Sequence, residues 1–304
     1  MAENTQLAAT LKSQDTEEWL DIYFTRPLGL LWAKLFRRMG VHPNTVTVLS
    51  IILGVAAGVM FYFDDLWLNV IGILLLVWAN IYDSCDGQLA RMTGQKTRLG
   101  RVLDGFAGDV WFFTIYFFIC LRQTPTWGVW IWVLGAVAGF VCHGRQSSLA
   151  DYYRNVHLFF LKGEAGSELD KSRKLTQEFQ ELRWKDDPVW KLFLYFSRNY
   201  TRTQERMTPK CQRFLAAVKE RYAEKGIPER LRTEFRAGSL PLMPLTNILT
   251  FNTRAIVLYI SLLIGHPWLY PATEVTLFTL LFLYMRQRHE HLCENLLSIL
   301  NTQL

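Results

Sequence analysis

Six long apolar blocks constrain this chain more than any other feature of its sequence. Half of the 304 residues are hydrophobic, and a helix of roughly 17–25 apolar residues is long enough to cross the hydrocarbon core of a bilayer. The blocks occupy residues 44–63, 66–84, 101–121, 125–143, 245–265 and 269–286. A soluble domain rarely groups so much apolar sequence in this way. We therefore predict an all-α integral membrane protein with six transmembrane helices.

Lysine and arginine collect at alternate ends of these blocks. The first 43 residues contain five of them, residues 85–101 contain four and residues 144–244 contain twenty, whereas the intervening loops contain only Arg122. Basic loops stay on the cytoplasmic side of a membrane. We therefore expect both termini and the 85–101 region in the cytoplasm, with the protein in the inner membrane if it is bacterial. The net charge of +6 then reflects orientation and attraction to anionic lipids, and no nucleic-acid-binding motif accompanies it.

Two polar segments lie outside the apolar blocks. Residues 16–39 predict an amphipathic helix in the membrane interface, with packing against a cytoplasmic loop as the alternative. Residues 144–244 are helical in pattern and suit a small cytoplasmic domain, a layer on the membrane surface or a cover over the site. The predicted domains are residues 1–42 (N-terminal interfacial helix), 43–143 (first four transmembrane helices), 144–244 (helical cytoplasmic insertion) and 245–304 (last two transmembrane helices and a cytoplasmic tail).

A polar motif interrupts the apolar sequence where the second and third blocks meet a short basic loop. Its members are Asp83, Asp86, Gly87, Ala90, Arg91, Gly100 and Asp104. At about 100° per residue, the first four share one stripe of a helix with the arginine at its margin, and the last two lie one turn apart on the next helix. Two helices thus present three carboxylates to one point. Ionisable groups at a bilayer edge are costly and are therefore candidates for function.

This motif resembles the signature of the CDP-alcohol phosphotransferase family, Asp-x2-Asp-Gly-x2-Ala-Arg-x8-Gly-x3-Asp-x3-Asp. Seven of the eight positions match, with every gap correct. Gly108 occupies the eighth position, where the family has its last aspartate, and Asp109 follows directly. A salt-bridged polar patch between transmembrane helices would account for the charges but not for the spacing of the glycines and the alanine.

The resemblance implies an enzyme in which the hydroxyl of one alcohol attacks a CDP-activated alcohol, giving a phosphodiester and CMP. It implies that Asp83, Asp86 and Asp104 hold two Mg²⁺ or Mn²⁺ ions, with Asp104 bridging them. Carboxylates are the hard oxygen ligands that these ions prefer. The resemblance also implies that the nucleotide side is shaped by Gly87, Ala90, Arg91 and Gly100.

The departure at Gly108 concerns the general base. The family's last aspartate ligates a metal ion and deprotonates the acceptor hydroxyl, and a glycine can do neither. Asp109 lies five residues beyond Asp104, about 140° round a regular helix. A π-helical turn would restore the register, and such turns favour functional sites. Asp109 is therefore predicted to be the displaced metal ligand and base, with a base from the cytoplasmic segment or a catalytically weakened protein as alternatives.

Two further arginines are candidates for binding the acceptor alcohol. Arg145, after the fourth block, resembles the place where family members carry arginines near the acceptor. An interfacial arginine that reaches to lipid headgroups is the alternative. Arg254 lies in apolar sequence near the start of the fifth block and is predicted to point into the cavity that binds the acceptor alcohol.

Two pairs of glycines four residues apart, Gly54/Gly58 and Gly135/Gly139, lie in the first and fourth blocks. Such spacing lets helix backbones approach closely in lipid. Packing within one subunit explains the pairs, and a homodimer seam, as the resemblance implies, is the other interpretation.

The resemblance implies, and the apolar blocks fit, a metal-dependent phosphotransferase of phospholipid synthesis. The favoured substrates are CDP-diacylglycerol as donor and a polar alcohol, such as inositol or a phosphorylated polyol, as acceptor. The second choice is a CDP-headgroup donor with a lipid alcohol, diacylglycerol or ceramide, as acceptor. A non-catalytic paralogue that binds CDP-lipids or scaffolds a partner is the alternative from another class.

Overall fold

The computed structural model describes residues 13–164, 167, 169–222 and 226–302. These residues form helices and the loops between them, and none of them lies in a β-strand, which confirms the all-α prediction. The helices are α1 Arg26–Arg38, α2 Pro43–Met60, α3 Leu66–Thr93, α4 Arg98–Trp127, α5 Val129–Ala136, α6 Gly144–Lys162, α7 Ser172–Glu181, α8 Pro188–Met207, α9 Pro209–Tyr222, α10 Glu229–Ser239, α11 Met243–Ile248, α12 Phe251–Leu263, α13 Leu269–Thr273 and α14 Thr279–Thr302.

The helices belong to two compact units. Residues 17–143 and 254–275 form the first unit, and the described parts of residues 13–16, 144–253 and 276–302 form the second. Three π-helical segments, Asp21–Thr25, Val137–His143 and Glu274–Phe278, adjoin the α-helices.

Four helical stretches of the described residues are long and apolar enough to cross a membrane. They are Pro43–Met60, Leu66–Thr93, Arg98–Trp127 and Glu229–Leu263, and they overlap the predicted blocks 44–63, 66–84, 101–121 and 245–265. The fourth stretch comprises α10 to α12 and so begins before its block. The two other predicted spans are divided. α5 passes into a π-helical segment after eight residues and α13 after five. The multi-pass character is therefore confirmed, whereas six spans stay a prediction.

Local stop and start signals set the ends of the motif helices. α3 runs through the motif to Thr93, where Gly94 turns the backbone with a φ of +70°, a conformation that glycine adopts without strain. The Thr97 side chain then caps α4 by accepting from the backbone N–H of Gly100 at 2.9 Å, as N-cap residues do. After this four-residue connection, α3 and α4 both pack against α2, and the two halves of the motif face each other.

The N-terminal helix packs on the helix that carries the motif. Predicted from residue 16, it is preceded by a π-helical segment and begins as α1 at Arg26. A Cβ on Gly29 would lie 3.3 Å from the backbone nitrogen of Cys85, so the two helices approach closely. The rings of Trp32 and Phe36 lie 5.5 and 5.6 Å from that of Tyr82. α1 is therefore a packing partner of α3, while its place in the membrane interface stays a prediction.

Both glycine pairs pack within this chain. A Cβ added to any of the four would come between 2.1 and 3.2 Å from a side-chain atom of α4. The contacts are Gly54 with Trp111, Gly58 with Thr114, Gly135 with Cys120 and Gly139 with Tyr116. These glycines therefore allow α2 and the α5 region to approach α4, and a homodimer seam stays a prediction.

The second unit has an aromatic core of its own. The Phe160 ring of α6 stacks on Phe235 of α10 at 4.0 Å and on Phe214 of α9 at 5.6 Å. Tyr153 of α6 stacks at 3.9 Å on His289 of α14. The polar 144–244 segment thus builds a packed helical core rather than an extended layer.

Candidate functional site

Three aspartates of the motif converge in the first unit. Asp83 and Asp86 lie one turn apart on α3, and Asp104 lies in the second turn of α4. One carboxylate oxygen from each residue lies within 4.8 Å of the others. Like charges at this separation repel strongly, so the arrangement favours bound cations. The convergence predicted from the spacing is therefore present in the structure.

A threonine from a third helix orients one of these carboxylates. The Thr47 hydroxyl of α2 donates to the Asp86 carboxylate at 2.5 Å, and both side chains are buried. A hydrogen bond of this kind fixes the direction in which a carboxylate presents its other lone pairs. Thr47 was not among the residues that the sequence predicted for the site.

Gly87 and Arg91 form an open side of the site. A Cβ added to Gly87 would meet only the guanidinium of Arg91, at 3.5 Å, within 4 Å. Gly87 and Ala90 are half-buried and Arg91 is exposed. The small residues therefore leave room beside the α3 backbone, next to a cation suited to phosphate oxygens.

Close packing explains why a glycine occupies position 100. A Cβ at this position would lie 2.7 Å from the side-chain oxygen of Asn44, and the Thr97 hydroxyl donates to that same oxygen at 3.2 Å. A side chain at residue 100 would therefore push the start of α2 away from the start of α4. A nucleotide-binding role of Gly100 stays a prediction.

The π-helical turn postulated for Asp109 is not present. α4 is a regular α-helix from Arg98 to Trp127, so the interval between Asp104 and Asp109 amounts to about 140°. Asp109 is exposed and lies outside the group formed by the three other carboxylates. The backbone of α4 stays regular despite Gly105 and Gly108. Asp109 therefore does not share the helix face of Asp104, as its predicted role requires.

Arg254 is buried against an acidic partner that the sequence analysis did not consider. Its guanidinium donates to both carboxylate oxygens of Glu274, and the two side chains are 1% and 0% exposed. His143 Nδ1 lies 3.0 Å from the Arg254 guanidinium and 3.6 Å from Glu274. An acidic residue inside the predicted span 269–286 was the available signal. Arg254 is therefore neutralised by an ion pair, which competes with the predicted role in acceptor binding.

His143 and Glu274 both lie at the edge of a π-helical segment. His143 ends Val137–His143 and Glu274 begins Glu274–Phe278. Aromatic rings enclose this ion pair, because Phe112 lies 4.2 Å from the His143 ring and Tyr116 stacks on Tyr270 at 5.2 Å. Two of the three π-helical segments named above thus accompany the buried ion pair, and none of the three lies in α4.

Arg145 lies in the second unit, as the second residue of α6, and is exposed. A role of Arg145 in binding the acceptor alcohol stays a prediction.

The donor set of the cluster fits hard divalent cations. Three carboxylates converge and the hydroxyl of Thr47 positions one of them, whereas the softer ligands typical of zinc or copper sites, sulfur and imidazole, are not among the three residues.

The fold and the cluster define an all-helical, multi-pass membrane protein with an acidic site where two helices meet. Residues 40–157 match the family model of the CDP-alcohol phosphatidyltransferases. The family prediction made from the motif is therefore confirmed for this region of the chain.

Two curated relatives are similar over a shorter region. The bifunctional IPC transferase and DIPP synthase of Aquifex aeolicus is 29% identical over 99 residues, which are 33% of this chain and 22% of that protein. The archaetidylinositol phosphate synthase of Pyrococcus horikoshii is 32% identical over 96 residues, which are 32% of this chain and 50% of that protein. The chain thus spans half the length of one relative and about a fifth of the other.

Proposed function

We propose that this protein is a metal-dependent CDP-alcohol phosphotransferase of phospholipid synthesis. The reaction transfers a substituted phosphate from CDP-diacylglycerol to the hydroxyl of a polar alcohol, inositol or a phosphorylated polyol, and releases CMP. The observation that carries the proposal is the convergence of Asp83, Asp86 and Asp104 within the region that matches the family.

The residues of the cluster have distinct parts in this proposal. Asp83, Asp86 and Asp104 would hold two Mg²⁺ or Mn²⁺ ions. When bound, these ions would neutralise the pyrophosphate and stabilise the charge on departing CMP. Thr47 holds the Asp86 carboxylate in one orientation, and Arg91 binds phosphate oxygens beside the space at Gly87. Asp109 would take the place of the family's last aspartate only after a local rearrangement of α4.

The names of the relatives support an inositol phosphate as the acceptor. One relative is named for the synthesis of archaetidylinositol phosphate, and the other is named as an IPC transferase and DIPP synthase. Both identities are near 30%, so the acceptor is a proposal to be tested with free inositol and inositol phosphate side by side. Arg145 would bind the acceptor phosphate, and Arg254 would do so only if it left Glu274.

The proposed arrangement in the membrane has six spans. The divided helices at 129–143 and 269–286 are apolar in sequence and would supply the two spans beyond the four helical stretches described above. The distribution of lysine and arginine supports cytoplasmic termini and a cytoplasmic site, in the inner membrane if the protein is bacterial. A homodimer is proposed from the family resemblance alone.

Release of CMP from defined donors tests the proposal. Purified protein in detergent or nanodiscs would be given CDP-diacylglycerol with inositol or inositol phosphate, with Mg²⁺, with Mn²⁺ and with a chelator. We expect CMP only when donor, acceptor and divalent ion are all present. Release from CDP-choline or CDP-ethanolamine with diacylglycerol or ceramide, and not from CDP-diacylglycerol, would instead support the lipid-acceptor alternative.

Gly108 favours a second candidate function, that of a non-catalytic paralogue that binds CDP-lipids. The glycine replaces the aspartate that the family uses as metal ligand and base. Absence of CMP release from every donor with either metal ion, together with saturable binding of CDP-diacylglycerol, would support this candidate over the enzyme.

A further inference from the structure

The N-terminal part of the first unit carries an ion pair at the start of α1. Two N–H groups of the Arg26 guanidinium donate to the Glu17 carboxylate, Nε to Oε2 at 3.1 Å and Nη2 to Oε1 at 2.7 Å. The Glu17 side chain is 2% exposed. Two parallel bonds of this kind fix the plane of a guanidinium as well as its position. Glu17 therefore orients the Arg26 side chain.

The start of α1 lies beside the motif on α3. The side-chain amide of Gln88, which follows Gly87 in the sequence, donates to the backbone carbonyl of Arg26 at 3.1 Å. A Cβ on Gly29, about one turn further along α1, would lie 3.1 Å from the same amide nitrogen. Gln88 and Arg91 are three residues apart and so are neighbours on the surface of α3. The contact with Gln88 thus brings Arg26 to the part of α3 that carries Arg91.

Arg26 and Arg91 act on each other electrostatically. The charge of Arg26 influences the Arg91 guanidinium more strongly than the charges of Asp86 and Asp104 do. Arg91 is exposed, next to the space at Gly87. Like charges held near one another repel, and an anion that contacts both relieves this repulsion. Since arginine binds phosphate oxygens through paired hydrogen bonds, this side of the site suits a ligand that carries phosphate.

The pair of Arg26 with Glu17 differs from the fully buried pair of Arg254 with Glu274. The Arg254 side chain is 1% exposed, whereas 18% of the Arg26 side chain is exposed. The bonds to Glu17 come from two adjacent nitrogens, Nε and Nη2, and a guanidinium has five N–H groups. Because its side chain reaches the surface, Arg26 can contact an anion while Glu17 holds it.

We propose that Arg26 joins Arg91 in binding the phosphate oxygens of the CDP-activated donor, and that Glu17 is the positioning residue for Arg26. This inference rests on the proposed function. It adds a part of the site that the family match does not contain, because Glu17 and Arg26 precede the matched region 40–157. α1 then contributes to substrate binding besides its packing on α3.

The test measures the binding of CDP to the purified full-length protein with Mg²⁺ by calorimetry, and the KM for CDP-diacylglycerol and for the acceptor from CMP release. Arg26→Gln removes the cation. The double variant Glu17→Gln/Arg26→Gln also removes the carboxylate, which would otherwise stay buried without its partner and destabilise the fold. Arg26→Lys keeps the charge but not the planar group. Arg37→Gln, which removes an exposed arginine at the other end of α1, is the matched control, and thermal unfolding establishes that each variant is folded.

We expect the Kd for CDP and the KM for CDP-diacylglycerol to rise about tenfold in Arg26→Gln and in the double variant, as the loss of a charge-assisted hydrogen bond predicts. The KM for the acceptor should stay near that of the wild type. Arg26→Lys should fall between wild type and Arg26→Gln, and Arg37→Gln should match wild type. Glu17→Gln should raise the Kd less than Arg26→Gln, because the cation remains but loses its orientation.

A folded double variant with wild-type affinity for CDP would overturn the inference and leave the proposed function intact. An equal rise in the KM for the donor and for the acceptor would indicate a general structural effect and would overturn it as well. Wild-type protein that neither binds CDP nor releases CMP would overturn the proposed function and this inference together.

Discussion

The hydroxyl of Thr47 donates a 2.5 Å hydrogen bond to the carboxylate of Asp86 and so ties α2 to the acidic cluster formed by α3 and α4. Both groups are buried, and the threonine hydroxyl also lies 3.3 Å from the backbone carbonyl of Pro43. The orientation of one proposed metal ligand thus depends on a residue 39 positions away in the chain.

Removal of that hydroxyl should weaken metal binding without unfolding the protein. Thr47→Val keeps the shape of the side chain and deletes the donor, and loss of such supporting hydrogen bonds typically costs about 10–100-fold in metal affinity or activity. The measurement is CMP release as a function of Mg²⁺ concentration. Thr47→Ser, which retains the hydroxyl, should stay near wild type, and equal losses in both variants would contradict the role of the hydrogen bond.

Divalent cations should stabilise the folded protein. The three carboxylates lie close together, and a ligand that binds only the folded state stabilises it by about 2.7 kcal/mol at a hundredfold excess over Kd. Thermal unfolding in detergent, with Mg²⁺, Mn²⁺ or a chelator, measures the effect. Asp83→Ala, Asp86→Ala and Asp104→Ala should each abolish both this stabilisation and CMP release. Wild-type unfolding that is indifferent to both ions would exclude the metal assignment.

Asp109→Asn should reduce CMP release far less than Asp104→Asn. The regular helix places the two carboxylates about 140° apart, and the cluster comprises Asp104 without Asp109. Turnover of the two variants under saturating Mg²⁺ is the comparison to make. A loss in Asp109→Asn as complete as that in Asp104→Asn would indicate that α4 rearranges when substrates bind and that Asp109 is the displaced base.

Glu274→Gln should destabilise the protein strongly. It leaves the Arg254 charge buried without its partner, and breaking a buried ion pair in this way costs about 3–5 kcal/mol. Thermal or denaturant unfolding of the single variant should be compared with the double variant Arg254→Met/Glu274→Met, which removes both charges and should recover most of the loss. Glu294→Gln, which removes an exposed ion pair with Lys210, is the control and should change stability by less than about 1 kcal/mol.

Acid should destabilise the second unit through His289. Burial lowers the pKa of this histidine from its usual 6.5 to about 3, so the unfolded chain binds a proton that the folded chain does not. Stability is therefore fully present above pH 6.5 and declines as the pH falls towards 3, by roughly 1.4 kcal/mol per pH unit. Denaturant unfolding of wild type and His289→Gln between pH 7 and pH 5 measures this slope. The variant should unfold with a shallower pH dependence, and an unchanged slope would assign the acid sensitivity to other groups.

His157 should add to the same acid sensitivity. Burial lowers its pKa, an effect that the hydrogen bond with Asp15 partly offsets. His157 also lies 2.8 Å from the hydroxyl of Ser239, while Asp15 accepts from Arg236 at 2.7 Å. The slope that remains in His289→Gln should therefore fall again in the double variant with His157→Gln.

The sequence predicted the acidic cluster correctly because its geometry is almost entirely local. Asp83 and Asp86 share a face through the helical repeat, and Gly94 with Thr97 ends one helix and starts the next within four residues. Asp109 marks the limit of such reasoning. A π-helical turn was inferred from a functional need, whereas the backbone of α4 is regular and the π-helical segments lie at Asp21–Thr25, Val137–His143 and Glu274–Phe278.

By itself, the sequence determined the all-helical class, the membrane character, the resemblance to the family over part of the chain and the three carboxylates that meet, since hydrophobic block length and helical periodicity act between near neighbours along the chain. The tertiary structure alone decided that Thr47 orients Asp86, that Glu274 neutralises Arg254 and that both glycine pairs pack against α4. Each of these contacts joins residues from different helices, and its existence depends on the rotation and approach of those helices, which side-chain packing sets and the local pattern does not encode.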